Sequence, residues 1–178
     1  MSETAMRRIA PPLWLLALTV SGVNIGMALL APAIPLLRDD LSASADEAQL
    51  VLSAFLIMLG LGQLVAGSMS DTLGRRPVLL AGSLLFTVAG AAALISPNIE
   101  LLIVARALQG FGASACMAVG RVIINDSFDK TEAGRQLSTI TMIMAIVPML
   151  GFASGGLVAD IIGWRGTVGI MVCLNNLS

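Results

Sequence analysis

Long apolar runs alternate with short polar stretches along the whole 178-residue chain. A bilayer core of about 30 Å is crossed by roughly 20 helical residues. Five runs reach that length, whereas a sixth stops after 13 residues, which is too short to span. The pattern predicts a tail over 1–11 and a bundle over 12–178, and we expect the sixth helix to be truncated. The predicted helices cover 12–37, 48–70, 77–96, 99–124, 136–159 and, incompletely, 166–178.

The composition is that of a membrane protein and excludes several kinds of active site. Hydrophobic residues make up 57% of the chain and charged residues 12%, against about 25% charged residues in soluble domains. Histidine is absent, which removes His-ligated metals and histidine acid–base catalysis. Cys116 and Cys173 lie in separate runs without a CxxC spacing. We therefore predict no enzyme, no metal and no cofactor, and the net charge of −1 argues against a nucleic-acid partner.

Basic residues are distributed unevenly between the two sides that the helix pattern defines. Lys and Arg are enriched in the cytoplasmic loops of membrane proteins. A cytoplasmic N-terminus puts seven basic residues inside, two outside and Arg106 within the membrane. We therefore expect this orientation, with Arg7, Arg8, Arg75, Arg76, Arg121, Lys130 and Arg135 inside and with Arg38 and Arg165 outside.

The chain contains an internal repeat at a spacing of 89 residues. Both copies have an Asp, a Gly and an Arg at matching positions after a glycine-rich helix. The shift moves the second predicted helix onto the fifth, so the two copies face opposite sides of the membrane. Inverted three-helix repeats are typical of secondary transporters, although channels and membrane enzymes also contain repeats. The paired positions are Gly62 and Gly151, Gly67 and Gly156, Asp71 and Asp160, Gly74 and Gly163, and Arg76 and Arg165.

The stretch GSMSDTLGRRP at 67–77 carries charges that the helix dipoles disfavour. Asp71 follows the second helix at its partly negative pole, and Arg75 and Arg76 precede the third helix at its partly positive pole. Asp126 ends the fourth helix on the same side. We expect Arg75 or Arg76 to bridge to Asp126, and Asp71 to face another helix N-terminus or an arginine. The alternative is a plain solvated loop in which the two bases only set the topology.

Glycine and proline residues near these charges have predicted geometric roles. Gly74 is expected to supply the positive φ of a tight turn. Gly67, one helical turn before Asp71, is expected to let a neighbouring helix approach closely. The fifth predicted helix carries a set of residues that permits either a gating hinge or simple close packing. This set is Pro148, Gly151, Gly155 and Gly156.

Arg106 lies about two turns inside the fourth predicted helix, roughly 10 Å along its axis. A charge at that depth is costly, so the residue is a functional candidate by default. The alternative is an arginine that snorkels towards Glu100 and the outer interface. Each Asp and Glu of the chain lies in a loop or at a helix end, so no carboxylate is embedded with it. We expect Asn24, Arg106 and Gln109 to form a polar cluster that faces a central cavity.

The polar turn at 67–77 resembles a signature of the major facilitator superfamily of transporters. That signature occupies the loop between the second and third helices and reads G-x-x-x-D-x-x-G-R followed by Arg or Lys. This chain departs from it at Thr72, where the family usually has arginine. The matching residues are Gly67, Asp71, Gly74, Arg75 and Arg76.

Two further blocks resemble signatures of the same superfamily. RALQGFGASA is similar to the fourth-helix signature, and VPMLGFASGG is similar to the antiporter signature on helix five. The second block departs from the family at Phe152, where a proline is usual. The matching residues are Arg106, Gln109, Gly110, Gly112 and Ala113 in the first block, and Gly151, Gly155 and Gly156 in the second.

The GWR after helix five and the APAIP near the end of helix one look like the bicyclomycin-resistance (Bcr/CflA) group of drug:proton antiporters. The resemblance implies the six-helix N-terminal half of a major facilitator fold, a 3+3 inverted repeat, in a bacterial inner membrane. It implies multidrug efflux by proton antiport with alternating access, a gate at the 67–77 turn and a role of Arg106 in proton coupling. The implied partners are the lipid bilayer, an amphipathic drug, protons and a second six-helix half.

One departure affects the proton-coupling part of this expectation. The group often has an aspartate on helix one at the position that Ala28 occupies here, so this half lacks that acid. Two alternatives to drug efflux stay open at this point. One is a carrier of a small metabolite on the same fold, and the other is a non-transporting or inactive membrane fragment.

Overall fold

The structure, a computed structural model, describes residues 27–127 and 130–176. These residues form helices joined by short turns, and no strand occurs among them, which confirms the all-α prediction. A helical turn at 27–30 and a 3₁₀ turn at Ala31–Ala33 lead into the first α-helix of the described part. The helices are α1 (Ile34–Asp40), α2 (Ala45–Leu73), α3 (Arg75–Leu94), α4 (Ile99–Ser127) and α5 (Lys130–Asn176).

Short polar caps explain where α2 and α4 begin. The Ser44 hydroxyl accepts a hydrogen bond from the Glu47 backbone N–H at 3.2 Å, and the Glu47 carboxylate accepts one from the Ser44 N–H at 2.8 Å. This reciprocal capping box satisfies two backbone donors that the helix itself cannot pair. At α4 the Asn98 side-chain oxygen accepts from the Leu101 N–H at 2.9 Å. The two helices therefore start at polar residues between apolar runs.

The turn between α2 and α3 is shorter than its sequence predicts. The prediction ended the second helix at residue 70 and started the third at 77, but α2 continues to Leu73 and α3 begins at Arg75. Gly74 alone reverses the chain, with φ of 89° and ψ of 159°. The positive φ predicted for this glycine is therefore present. Asp71 lies inside the last turn of α2, because a single glycine is enough to connect the two helices.

α5 contains the fifth and sixth predicted helices, which meet at a kink at Gly163. The predicted gap over 160–165 is helical except at Gly163, where φ is 71° and ψ is 172°. The part of α5 before Gly163 holds Pro148 in its interior. As at Gly74, a single glycine, Gly163, takes the place of the longer loop that the sequence predicts.

α4 is the central helix, with most of its apolar span buried by the others. Gly110 and Gly112 let it approach α2 and α3 on opposite sides. A Cβ on Gly110 would lie 2.3 Å from the Phe55 carbonyl oxygen, and one on Gly112 would lie 2.6 Å from the Phe86 backbone nitrogen. Glycine is required at both positions because backbone, and not a movable side chain, occupies the space. The fourth-helix block RALQGFGASA therefore contains packing residues as well as Arg106 and Gln109.

Four of the described helices, α2 to α5, are long and apolar enough to cross a membrane. Large apolar side chains point outward from them, with exposed fractions of 76% at Leu64, 72% at Met149 and 81% at Ile161. Such a surface suits lipid and not water. The helices run alternately up and down, so the turns fall at two ends. We call these the Arg75 end, with the α2–α3 turn, and the Arg165 end, with the α1–α2 and α3–α4 turns and Gly163.

Candidate functional site

Arg106 lies at the centre of the helix bundle with an exposed fraction of 0%. It does not snorkel towards Glu100, so that alternative is wrong. Its Nη1 donates to Gln109 Oε1 at 2.7 Å, three residues further along α4. Its Cζ lies 4.3 Å from the centre of the Phe55 ring on α2. A guanidinium over an aromatic face gains a cation–π attraction that is strongest where water is excluded.

Two methionine sulfurs complete the surroundings of this guanidinium. Nη2 donates to Met27 Sδ at 2.9 Å, and Nη1 also approaches Met171 Sδ at 3.3 Å. Thioether sulfur is a weak hydrogen-bond acceptor. Elements that are distant in sequence thus meet at one side chain: the turn at 27–30, α2, α4 and the last part of α5. We call Arg106, Gln109, Phe55, Met27 and Met171 the Arg106 cluster.

The Arg106 cluster has more donors than acceptors. Among the described residues, Arg106 Nε and Gln109 Nε2 are buried and have no hydrogen-bond partner. No carboxylate of the described part pairs with the guanidinium. An unpaired buried charge is expensive, and each unsatisfied buried donor adds to that cost. The arrangement is therefore suited to receiving an acceptor group from outside the cluster.

A cavity lies beside the cluster and shares Met27 with it. Its empty volume is about 620 Å³, part of it open to the outside. The wall is mostly apolar, and the polar side chains on it are those of Gln49 and Ser53. Its lining residues are Met27, Ala28 and Ala31 before α1, Gln49, Leu52, Ser53 and Leu56 on α2, and Pro148 and Phe152 on α5. We call it the Met27 cavity.

The helix-five residues singled out from the sequence separate into two groups. A Cβ on Gly151 would lie 2.7 Å from Ala28 Cβ, and one on Gly155 would lie 2.6 Å from Pro32 Cγ, so α5 packs there against the residues that precede α1. Nothing lies within 4 Å of a Cβ on Gly156. Close packing thus accounts for Gly151 and Gly155 and leaves Gly156 without that role.

The residues of the 67–77 turn meet at the Arg75 end of the bundle. Asp71 and Arg76 are exposed and Arg75 is half-buried. Among the described residues nothing lies within 4 Å of a Cβ on Gly67, so the helices of this part of the chain do not make the close approach predicted there. Gly67 faces away from the neighbouring helices, whereas Gly62, more than one turn earlier, meets Ser114 of α4.

Two predicted site residues lie wholly or partly outside the described part of the chain. Asn24 lies outside the described residues, and so does the side chain of Asp126, although its backbone belongs to α4. The predicted bridge from Arg75 or Arg76 to Asp126 and the predicted cluster of Asn24 with Arg106 therefore stay predictions.

A further charged cluster at the Arg165 end was missed by the sequence reasoning. Asp40, the last residue of α1, accepts hydrogen bonds from Trp164 Nε1 at 3.0 Å and from Arg165 Nη1. Arg165 also donates from Nη2 to the Ser96 carbonyl at 3.4 Å and stacks on the Trp164 ring at 4.3 Å. These contacts tie together the turns after α1, after α3 and at Gly163. The sequence signal that could have indicated this cluster is the internal repeat, which pairs Arg165 with Arg76.

The two donors of this cluster change the acidity of Asp40. The hydrogen bond from Trp164, and then the hydrogen bond and charge of Arg165, hold the Asp40 pKa below its usual 3.8. Hydrogen bonds and a neighbouring cation both favour the ionised carboxylate. Asp40 is therefore a permanent anion at neutral pH.

Known proteins resemble this chain over most of its length. It is 40% identical over 156 residues to an uncharacterized MFS-type transporter, YdgK, of Bacillus subtilis, covering 87% of this chain and 38% of the relative. It is 37% identical over 147 residues to a chloramphenicol resistance protein of Pseudomonas aeruginosa, covering 80% and 34%. It is 31% identical over 153 residues to multidrug resistance protein D of Escherichia coli, covering 86% and 39%. The chain thus spans well under half of the length of these relatives.

The fold also has a counterpart among solved structures. The inward-open xylose transporter XylE of Escherichia coli superposes with a TM-score of 0.73 at 17% identity, covering 91% of this chain and 45% of XylE. The similarity extends to the family level, because the sequence model of the Major Facilitator Superfamily matches residues 16–177. This match covers nearly the whole sequence, and it agrees with helices that suit a membrane and with an arginine buried among them. We conclude that the chain is a multi-pass membrane protein of the Major Facilitator Superfamily.

Proposed function

We propose that the chain is the N-terminal six-helix half of a Bcr/CflA-type secondary transporter that exports drugs by proton antiport. The observation that carries the proposal is Arg106, a fully buried cation at the junction of membrane helices with no carboxylate partner in the described part. Such a costly residue is expected at a substrate or ion pathway and not in a passive scaffold. The names of two relatives, which refer to chloramphenicol and multidrug resistance, support drugs as the substrate class.

In the proposed site, Arg106 and Gln109 supply hydrogen-bond donors at the depth of the membrane, together with Asn24. The Met27 cavity supplies an apolar wall with a few polar groups, which is the composition of a small-molecule site. An amphipathic drug would bury its apolar surface against Leu52, Leu56 and Phe152 and direct a polar group towards the donors. Protons would move on acids outside this half, since the family's helix-one acid is Ala28 here.

The 67–77 turn is proposed as the cytoplasmic gate of alternating access. Asp71 lies in the last turn of α2 and Arg75 starts α3, and the one-residue connection at Gly74 holds these charges at adjacent helix ends. Each charge is at the helix pole that disfavours it, so a partner charge lowers its energy. Arg75 or Arg76 would bridge to Asp126, and Asp71 would engage a helix of the second six-helix half. Breaking these bridges opens one side of the transporter.

The proposed membrane is the bacterial inner membrane, with the Arg75 end and the N-terminus in the cytoplasm. The predicted topology puts seven basic residues on that side and two on the other. This asymmetry supports the orientation, because positively charged loops are retained in the cytoplasm. A labelling experiment on single-cysteine variants at Thr72 and Asp160 distinguishes the two faces. The expected result is reaction with an impermeant thiol reagent in whole cells at residue 160 and not at 72.

The function is tested in a bacterium that lacks its own drug exporters. Expression of the chain together with its second six-helix half should raise the concentration of chloramphenicol that stops growth. Arg106→Gln, Asp71→Asn and Arg75→Ala should each remove the increase at equal membrane abundance. Arg38→Gln is the matched control, because Arg38 is exposed and pairs only with its neighbour Asp39 among the described residues. Resistance that is unchanged in the Arg106 variant would contradict the proposal.

A second measurement separates drug efflux from the two alternatives. The chain is reconstituted together with its second six-helix half in vesicles with an imposed proton gradient, and release of labelled chloramphenicol is compared with release of a panel of small metabolites. Gradient-dependent release of the drug supports antiport. Release of a metabolite without the drug would favour the metabolite carrier, and release of neither would favour the non-transporting fragment.

A further inference from the structure

Met27 contacts both the buried guanidinium and the cavity. Its sulfur accepts from Arg106 Nη2 at 2.9 Å, and its side chain also forms part of the Met27 cavity wall. The residue is only partly buried, in contrast to Arg106 and Gln109 behind it. Within the described part of the chain, a molecule in the cavity that displaces the Met27 sulfur would therefore come next to Arg106 Nη2.

The chemistry of methionine makes this movement inexpensive. Its side chain has three rotatable bonds and no branch, so it repacks more readily than other apolar residues. A thioether is also a weaker acceptor than a carbonyl, carboxylate or nitro oxygen. A ligand oxygen that takes the place of the sulfur would strengthen the hydrogen bond to Arg106, because charged donors form their best bonds with strong acceptors.

An independent observation indicates which ligands the site accepts. Arg106 Nε and Gln109 Nε2 are buried donors without partners in the described part of the chain, so the cluster has an excess of donors. The ring of Phe55 is already covered by the guanidinium at 4.3 Å and offers no face to a second cation. A cation in the Met27 cavity would meet an uncompensated positive charge in a medium of low dielectric constant. Acceptor groups are thus favoured and cations are disfavoured.

We infer that Met27 is a specificity-determining lid, which is displaced by uncharged or anionic ligands that carry a strong hydrogen-bond acceptor and which stays closed towards lipophilic cations. The inference rests on the proposed function, since it assigns the substrate class of the same site. Ligands of this class place the acceptor on Arg106 and their apolar part against the cavity wall. Their apparent affinity equals the affinity for the open site multiplied by the fraction of time for which the lid is open.

Two substitutions at Met27 should shift the affinity in opposite directions. Met27→Ala removes the lid, and Met27→Gln replaces the sulfur by an amide oxygen that holds Arg106 more tightly. With a lid that is open for about a tenth to a third of the time, removal strengthens binding about three- to tenfold. Met27→Gln is expected to weaken binding about three- to tenfold, because the amide oxygen keeps the lid closed for more of the time. Met117→Ala is the matched control, because Met117 is a buried methionine of the same core that lines no part of the Met27 cavity.

The experiment measures binding of two probes to the whole chain in lipid nanodiscs. Chloramphenicol carries carbonyl and nitro acceptors and no charge, whereas tetraphenylphosphonium is a cation without an acceptor. We expect chloramphenicol to bind more tightly to Met27→Ala and more weakly to Met27→Gln, and we expect less than a twofold change with Met117→Ala. Binding of tetraphenylphosphonium should be weak in the parent chain and unaffected by any of the three changes.

The outcomes distinguish failure of the lid from failure of the proposed function. Thermal unfolding of each variant first establishes that it folds. If Met27→Ala does not fold, Met27→Gln still tests the lid. Three results would overturn the lid if chloramphenicol still binds the parent chain. They are equal changes of affinity for both probes, changes of the same sign in the two Met27 variants, and no change of affinity in either variant. A parent chain that binds neither probe would overturn the proposed function and the lid with it.

Discussion

Gly74 and Gly163 have closely similar backbone conformations, with φ of 89° and 71° and ψ of 159° and 172°. They are equivalent positions of the internal repeat, 89 residues apart, and they lie at opposite ends of the bundle. Each ends one helix and starts the next without any further loop residue. Arg75 follows one glycine and Trp164 the other. The repeat thus corresponds to a real structural unit, a one-glycine turn used once at each end.

Alanine at either glycine should destabilise the protein. A non-glycine residue at positive φ with ψ near 160–170° costs about 1–3 kcal/mol, because this region is essentially open to glycine alone. Gly74→Ala and Gly163→Ala are therefore expected to lower the free energy of unfolding by this amount, measured by thermal or denaturant unfolding in detergent. Gly67→Ala and Gly156→Ala are the controls, since both positions are helical and have open space around a Cβ. Equal effects at all four positions would contradict the explanation by backbone conformation.

Gly110→Ala should be more damaging than alanine at an open glycine of the same bundle. The added Cβ would lie 2.3 Å from the Phe55 carbonyl oxygen, so α2 and α4 must separate. Overpacking of this kind costs about 1–3 kcal/mol. Gly60→Ala on α2 is the matched control, because nothing lies within 4 Å of a Cβ there. The measurement is again the unfolding midpoint, and an unchanged midpoint for Gly110→Ala would show that the helices are not so closely packed.

Arg106→Met should leave the protein folded and at least as stable as the parent. The guanidinium is buried without a carboxylate in the described part, so replacing it by an apolar side chain of similar volume removes the cost of burying an unpaired charge. Drug transport should be lost in the same variant, because the donors of the site are gone. Arg121→Met, a change at an exposed arginine, serves as the stability control and should fall within about 0.5 kcal/mol of the parent. A loss of several kcal/mol with Arg106→Met would assign the residue to structure.

The Asp40 cluster should persist through mildly acidic conditions. The pKa of Asp40 is held below 3.8, so its contribution to stability is fully present above that value. The contribution is lost only as the pH falls through the lowered pKa. Trp164 fluorescence in a Trp14→Phe background should therefore stay constant from pH 7 to about pH 4 and change below it. Asp40→Asn should abolish the acid transition, and a transition centred above pH 4 in the parent chain would refute the assignment.

The sequence determined the fold class and the chemistry of the main site. Apolar runs of about 20 residues must become helices in a bilayer, because only a helix satisfies its own backbone hydrogen bonds within a single segment. The same reasoning singled out Arg106, since a charge inside such a run is expensive wherever the helix packs. The repeat and the positive φ of Gly74 were also visible in the sequence.

Only the tertiary structure decided which side chains surround these residues. Met27 and Arg106 lie 79 residues apart, and Asp40 and Trp164 lie 124 apart, so no local pattern connects them. Gly62 and Gly67 look equivalent as glycines of one helix, yet only the first faces α4. The rotation of each helix about its axis settles such contacts, and it follows from packing among all the helices together. For the same reason, the lid at Met27 and the cluster at Asp40 emerged only from the assembled bundle.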